Sequence, residues 1–73
     1  MQGLRPGRIV DVVAKDGTTH EPAIVQKVFE PTDTIADGVI DCHVFGVAGT
    51  RVARNVRFDP EMSKGTWHWL EQA

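Results

Sequence analysis

Near the start of the chain lies a β-forming segment, Arg8-Ile9-Val10-Asp11-Val12-Val13-Ala14, which is followed directly by a turn sequence, Lys15-Asp16-Gly17-Thr18. Successive side chains of a β-strand point to opposite faces. Two faces result, with Val10, Val12 and Ala14 on one and Ile9, Asp11 and Val13 on the other. Asp16-Gly17 supplies the positive backbone angles that a tight hairpin turn needs. The sequence therefore predicts a strand over residues 8–14 that returns through a hairpin.

The rest of the chain repeats this pattern of short runs, rich in β-forming residues, between glycines and prolines. Further strands are predicted at residues 22–30, 39–45, 51–58 and 66–70. The longest predicted loop covers residues 31–38 and ends on Asp37-Gly38, a second turn signal. Helix signals are nearly absent, so the sequence indicates an all-β protein.

Five short strands at this spacing favour a small, strongly bent antiparallel barrel, because closure removes the exposed edges of a flat sheet. We predict one domain over residues 1–73, built as a five-stranded SH3-like barrel. An OB-fold is less well suited, because 73 residues leave little room for the helix that it requires.

Composition and charge exclude several classes of protein. The chain is 41% apolar, and eight Lys plus Arg against ten Asp plus Glu give a net charge of -2. A general nucleic-acid binder is expected to be basic, and no apolar run is long enough to span a membrane or to form a signal-peptide core. We expect a soluble protein of a reducing compartment, since the lone Cys42 cannot form an internal disulfide.

The histidines and the cysteine predict neither a metal site nor catalysis. His20, His43 and His68 form no metal-ligand spacing, and the adjacent strand residues Cys42 and His43 point to opposite faces. Cys42 lies on the predicted core face, where a desolvated thiol is a poor nucleophile. We therefore expect no metal, no cofactor and no enzymatic activity.

The segment Trp67-His68-Trp69 is the most unusual local feature of a chain that has five aromatic residues. Two tryptophans on one strand face can anchor a core or form a stacking platform for a ligand. Arg54 interrupts an otherwise apolar strand face, and a guanidinium can both stack on indole and hold an anion. Trp67, Trp69, Arg54 and His43 are therefore candidate binding residues.

The first two predicted strands carry apolar side chains on both faces. A lone antiparallel barrel with one wet face should not show this surplus. The second face is expected to be covered by the 31–38 loop with Ile35, by the turn at Met62, or by another copy or a larger assembly. The candidate interface residues on it are Ile9, Val13, Ile24 and Val28.

The order of Gly7-Arg8-Ile9-Val10, Pro22-Ala23-Ile24-Val25, Val44-Phe45 and a terminal Gly65-Thr66-Trp67-His68-Trp69 resembles a group of small tailed-bacteriophage and prophage proteins of unassigned function. The resemblance covers nearly the whole length. It implies an SH3-like barrel expressed in an infected bacterial cell, with no catalytic residues to carry over. We expect the protein in the host cytoplasm during infection or in the virion.

Three functions follow as hypotheses from these features. The first is a non-enzymatic protein that contacts itself or phage structural proteins, as a capsid decoration, a head-tail component or an assembly partner. The second is a module that binds a nucleotide-like small molecule, as in a counter-defence protein that sequesters a host signal. The third is single-stranded nucleic-acid binding through Arg51, Arg54 and Arg57, which the negative net charge disfavours.

Overall fold

The computed structural model describes residues 1–70 and consists of β-strands joined by turns and loops, without a helix in that range. The strands are β1 (Ile9–Val13), β2 (His20–Val28), β3 (Ile40–Gly46), β4 (Gly49–Val56) and β5 (Trp67–His68). They form one antiparallel sheet in the order β4-β3-β2-β1-β5. The all-β, five-stranded antiparallel prediction is confirmed.

The sheet is not closed into a ring, so the barrel prediction is not confirmed. β4 and β5 are its end strands. A single parallel bridge joins Phe58, just after β4, to Trp67 of β5. The Trp67 amide donates to the Arg57 carbonyl oxygen at 2.9 Å, and the Asp59 amide donates to the Trp67 carbonyl oxygen at 3.0 Å. The two ends of the sheet therefore approach each other without forming a full ladder.

The strand boundaries differ from those predicted where turns are tighter than expected. β2 starts at His20 because the Ala14 amide already bonds the Thr19 carbonyl oxygen at 2.8 Å. β4 starts at Gly49, paired with Gly46, so the hairpin loop contains only two residues.

One face of the sheet carries a continuous apolar core around Trp67. Its buried members come from all five strands: Val10, Val12, Ala23, Val25, Ile40, Cys42, Val44, Val56 and Trp67. The Trp67 side chain is fully buried, and its indole Nε1–H donates to the Gly38 carbonyl oxygen at 2.6 Å. Gly38 has a φ of 93°, and a Cβ there would come within 2.9 Å of the Phe58 Cβ. Glycine is therefore required at position 38 for the loop before β3 to accept the hydrogen bond from Trp67.

Two β-bulges change which residues face the core. In β2 the register shifts between Val25 and Lys27, so that Val28 pairs with the buried Ile40 and packs against the core. A second shift lies between β3 and β4, where Ala53 pairs with Cys42 and Val56 with Ile40. A bulge adds one unpaired residue and inverts the alternation beyond it.

The second bulge also explains why strand alternation alone places Arg54 on the apolar face of the fourth predicted strand. Asn55 adopts a φ of 55° there, and its amide donates to Asp41 Oδ1 at 2.9 Å. Arg54 lies beside it and is exposed, so it does not interrupt the core face.

Candidate functional site

The four predicted ligand-binding residues do not meet in one site. Trp67 is fully buried in the core, with Trp69 half-buried against it at a ring separation of 5.0 Å. His43 lies on the opposite face of the sheet, where its ring stacks on Phe45 at 5.2 Å. Arg54 is exposed at the β4 bulge. Trp69 alone of the four borders a cleft.

The four predicted interface residues divide into exposed and covered positions. Ile9 is 50% exposed and Ile24 is half-buried. Val13 is fully buried at the end of β1, where its backbone bonds both Gly65 and Thr66. Val28 is half-buried against the core because of the β2 bulge. Only Ile9 and Ile24 therefore offer apolar surface away from the core.

The strand register extends this surface across the sheet. Ile9 pairs with Ile24, Ile24 with His43, and His43 with Val52, one residue from each of four neighbouring strands. Directly paired residues project to the same face, so these side chains form a row. Phe45, two residues beyond His43, adds its stacked ring. We call these five residues, Ile9, Ile24, His43, Phe45 and Val52, the outer patch.

The outer patch is solvent-exposed and mainly apolar. Ile9, Phe45 and Val52 are 50%, 43% and 53% exposed, respectively. The side of an antiparallel sheet that faces water normally carries polar residues, and contiguous exposed apolar surface marks an interaction site. The arrangement can bury these side chains against another protein.

The three arginines of the fourth predicted strand do not form one basic row. The Arg51 side chain bonds the buried Glu21 carboxylate, with Nη2 to Oε1 at 2.9 Å, at the rim of the core. Arg54 and Arg57 lie at and beyond the bulge and are exposed. A continuous phosphate-binding stripe would need the three side chains on one face.

A cluster that the sequence analysis did not identify joins Asp11, His20 and His68. His20 Nδ1 lies 2.9 Å from Asp11 Oδ2, and His68 Nε2 lies 3.1 Å from the same oxygen. The pairing of Asp11 with His68 and of Val13 with His20 brings the three strands together. The residues are far apart in sequence, so short-range spacing could not reveal them. Strand alternation places Asp11 and His68 away from the predicted core, but His20 precedes the predicted second strand and the sequence does not contain the strand order.

A cleft of about 670 Å³ lies at the edge of the sheet and includes Arg5, Arg8 and Trp69 in its lining. The Arg8 guanidinium carbon sits 5.2 Å from the centre of a Trp69 ring. Cation–π contacts of this kind hold an arginine over indole. The cleft therefore combines positive charge with a partly accessible aromatic face.

Cys42 is fully buried and has the properties of a structural thiol. Burial raises its pKa to about 11, because the charged thiolate is poorly solvated in the core. The thiolate is the nucleophilic form, so Cys42 does not supply a reactive group to any of these sites.

No protein-family model, curated protein or solved structure matches this chain. Residues 1–70 contain no helix with the length and apolar character of a membrane span.

Proposed function

We propose that this chain is a non-enzymatic protein that acts by binding another protein through the outer patch. The observation that carries the proposal is the row from Ile9 to Val52, which runs across four strands on the side away from the core. Each buried apolar side chain of this size contributes about 1.5–3 kcal/mol when fully removed from water. Burial of the exposed parts of Ile9, Phe45 and Val52 would therefore favour a contact at this surface.

The partner that best fits the patch is a second copy of this chain. The patch lies across four neighbouring strands, and none of its five residues is Asp, Glu, Lys or Arg. A second copy therefore meets it without placing like charges opposite each other. Two copies packed face to face about a two-fold axis would bury both outer patches against each other.

The proposed biological setting is a bacteriophage particle or its assembly, as a capsid decoration or head-tail component. The resemblance of Gly65-Thr66-Trp67-His68-Trp69 to small phage proteins supports this setting. The strand order and the Phe58–Trp67 bridge support an SH3-like barrel as the fold. Mass spectrometry of purified particles tests the setting: the peptide is expected at stoichiometric abundance, and its absence would contradict a structural role.

Sedimentation equilibrium tests the contact itself. We expect the wild-type chain to self-associate with rising concentration. Val52→Lys should raise the dissociation constant at least tenfold, which corresponds to a loss of about 1.4 kcal/mol of binding free energy. Val47→Lys is the matched control, since Val47 is 98% exposed at the hairpin tip outside the patch. A wild-type monomer over the whole range, or equal effects of the two lysines, would contradict association through the patch.

The cleft beside Trp69 favours a second candidate function, the binding of an anionic aromatic ligand such as a nucleotide. Arg5 and Arg8 would pair with phosphate while the indole stacks on the base. A thermal-shift screen with linear and cyclic nucleotides tests it. A ligand that raises Tm in the wild type and has no effect on Arg8→Gln supports the candidate, and an absence of shifts rejects it.

A further inference from the structure

Three potential metal ligands project from neighbouring strands at one end of the outer face. Asp11 lies in β1, with His68 of β5 directly opposite it and His20 at the start of β2. One donor atom from each residue lies within 4.8 Å of the other two. The backbones of all three are fixed by the sheet, so the donors are held together by the fold.

We propose that Asp11, His20 and His68 bind a divalent transition-metal ion, with Zn²⁺ as the best-fitting ion. Two imidazole nitrogens and one carboxylate oxygen are a ligand set that zinc accepts. The ion would leave one or more coordination positions open to water, because three protein ligands do not complete its shell. This site is separate from the outer patch and does not depend on the proposed protein contact.

Two of the three distances between donor atoms match those around a shared ion. Zinc bonds of about 2.0–2.1 Å place neighbouring donors about 2.9–3.4 Å apart, for octahedral to tetrahedral angles. Asp11 Oδ2 lies 2.9 Å from His20 Nδ1 and 3.1 Å from His68 Nε2. The two imidazoles bring these nitrogens to the same carboxylate oxygen, with their rings 5.0 Å apart at 72°. The two nitrogens lie within 4.8 Å of each other, and a tetrahedral ion would hold them about 3.4 Å apart.

The burial of His68 identifies which of its ring nitrogens would bind the ion. The side chain is 5% exposed, and its Nε2 lies 3.1 Å from Asp11 Oδ2. Its Nδ1 is buried without a hydrogen-bond partner in the described part of the chain. Nε2 is therefore the nitrogen that faces the other two donors.

The ion would stabilise the attachment of β5 to the rest of the sheet. β5 has two residues and is held to β1 through Asp11 and Val12. A metal bridge from His68 to Asp11 and His20 would tie β5 to two other strands. Small domains commonly gain stability from such structural metals, because binding free energy adds to folding free energy.

The experiment uses the untagged chain, stripped with a chelator and then titrated with Zn²⁺ by calorimetry and thermal denaturation. We expect one ion per chain and a Tm rise of roughly 10–20 °C at about 100 times Kd. Co²⁺ serves as the spectroscopic probe, because its visible absorption spectrum depends on its ligands. The spectrum should indicate nitrogen and oxygen ligands and no thiolate ligand.

The variants decide whether the three residues are the ligands. Asp11→Asn and His20→Gln should each weaken Zn²⁺ affinity by about a hundredfold. Asp33→Asn, a matched carboxylate control in the exposed loop before β3, should leave the affinity unchanged. His20 is exposed, so its variant tests the site even if a change at the buried His68 prevents folding. Absence of Zn²⁺ binding by the wild type, or full affinity in both ligand variants, would overturn the proposal.

Discussion

The Trp67 indole donates a 2.6 Å hydrogen bond to the Gly38 carbonyl oxygen and thereby joins the last strand to the loop before β3. The ring also contacts Phe58 and Trp69, at centroid distances of 4.9 and 5.0 Å. Trp67 therefore connects parts of the chain that are distant in sequence, at the point where the two ends of the sheet approach each other.

Removal of this hydrogen bond should destabilise the fold measurably. Trp67→Phe keeps an aromatic ring but leaves the Gly38 carbonyl oxygen without its donor, which costs about 1–3 kcal/mol. For a domain of this size, each kcal/mol lowers Tm by about 4–8 °C. Chemical denaturation measures the loss. Trp69→Phe is the control, and an equal or larger loss there would show that the indole bond does not matter.

Cys42 should make stability fall at alkaline pH. Burial raises its pKa from an ordinary 9.0 to about 11 in the folded chain, so the unfolded chain loses its proton first. The stabilisation is complete below pH 9 and is lost as pH rises towards 11. Two pKa units correspond to about 2–3 kcal/mol.

Denaturant midpoints between pH 8 and 11, compared for wild type and Cys42→Ala, isolate this effect. The alanine variant should show a flatter decline. Thiol-specific reagents at pH 8 should modify the wild-type cysteine only as fast as the chain unfolds. Rapid modification of the native chain would contradict the burial of the thiol.

The Glu21–Arg51 pair should matter mainly because one partner is buried. Glu21 is 8% exposed, whereas the Arg51 side chain is 49% exposed. Arg51→Met would leave the carboxylate buried without its cation, and solvent access to the pair limits the cost to about 1 kcal/mol. A double-mutant cycle with Glu21→Gln measures the coupling. A coupling energy of zero would show that water replaces Arg51 fully.

Asp16 should make the first hairpin sensitive to acid. Its carboxylate accepts hydrogen bonds from the amides of Thr18 and Thr19, at 2.9 and 2.8 Å, and from the Thr19 hydroxyl. The bond from the Thr19 side chain leads the interactions that lower the Asp16 pKa to about 2. The stabilisation is therefore present above pH 3.8 and is lost as pH falls towards 2.

The matched pair Asp16→Asn and Asp33→Asn tests this role. The Asp16 variant should lower Tm at pH 7 and flatten the dependence of Tm on pH below 4. The Asp33 variant, in the exposed loop before β3, should leave both unchanged. Identical profiles for the two variants would contradict a special role for Asp16.

The sequence predicts the strands well because their signals are local. Alternating side chains and the Asp16-Gly17 turn mark β1 and its hairpin, and the position of His68 opposite the core tryptophan follows from strand alternation alone. The bulges escape prediction, since a single unpaired residue leaves no trace in composition. One of them turns the Val28 side chain towards the core, whereas strand alternation alone places it on the outer face.

The candidate sites depend on strand order, which the sequence pattern does not contain. Ile9 and Ile24 were identifiable as outward apolar residues, but their alignment with His43 and Val52 requires the register of three strand pairs. The separation of Trp67 from His43 likewise follows from how the sheet is assembled. Local patterns identify which residues face outward, and pairing decides which of them become neighbours.

The most direct test of the central claim, contact between copies through the outer patch, is isotope-filtered NMR on a mixture of labelled and unlabelled chains at millimolar concentration. We predict intermolecular NOEs from the methyl groups of Ile24 and Val52 and from the Phe45 ring, and none from Val47. An absence of intermolecular NOEs, or their confinement to residues outside the patch, would contradict the claim.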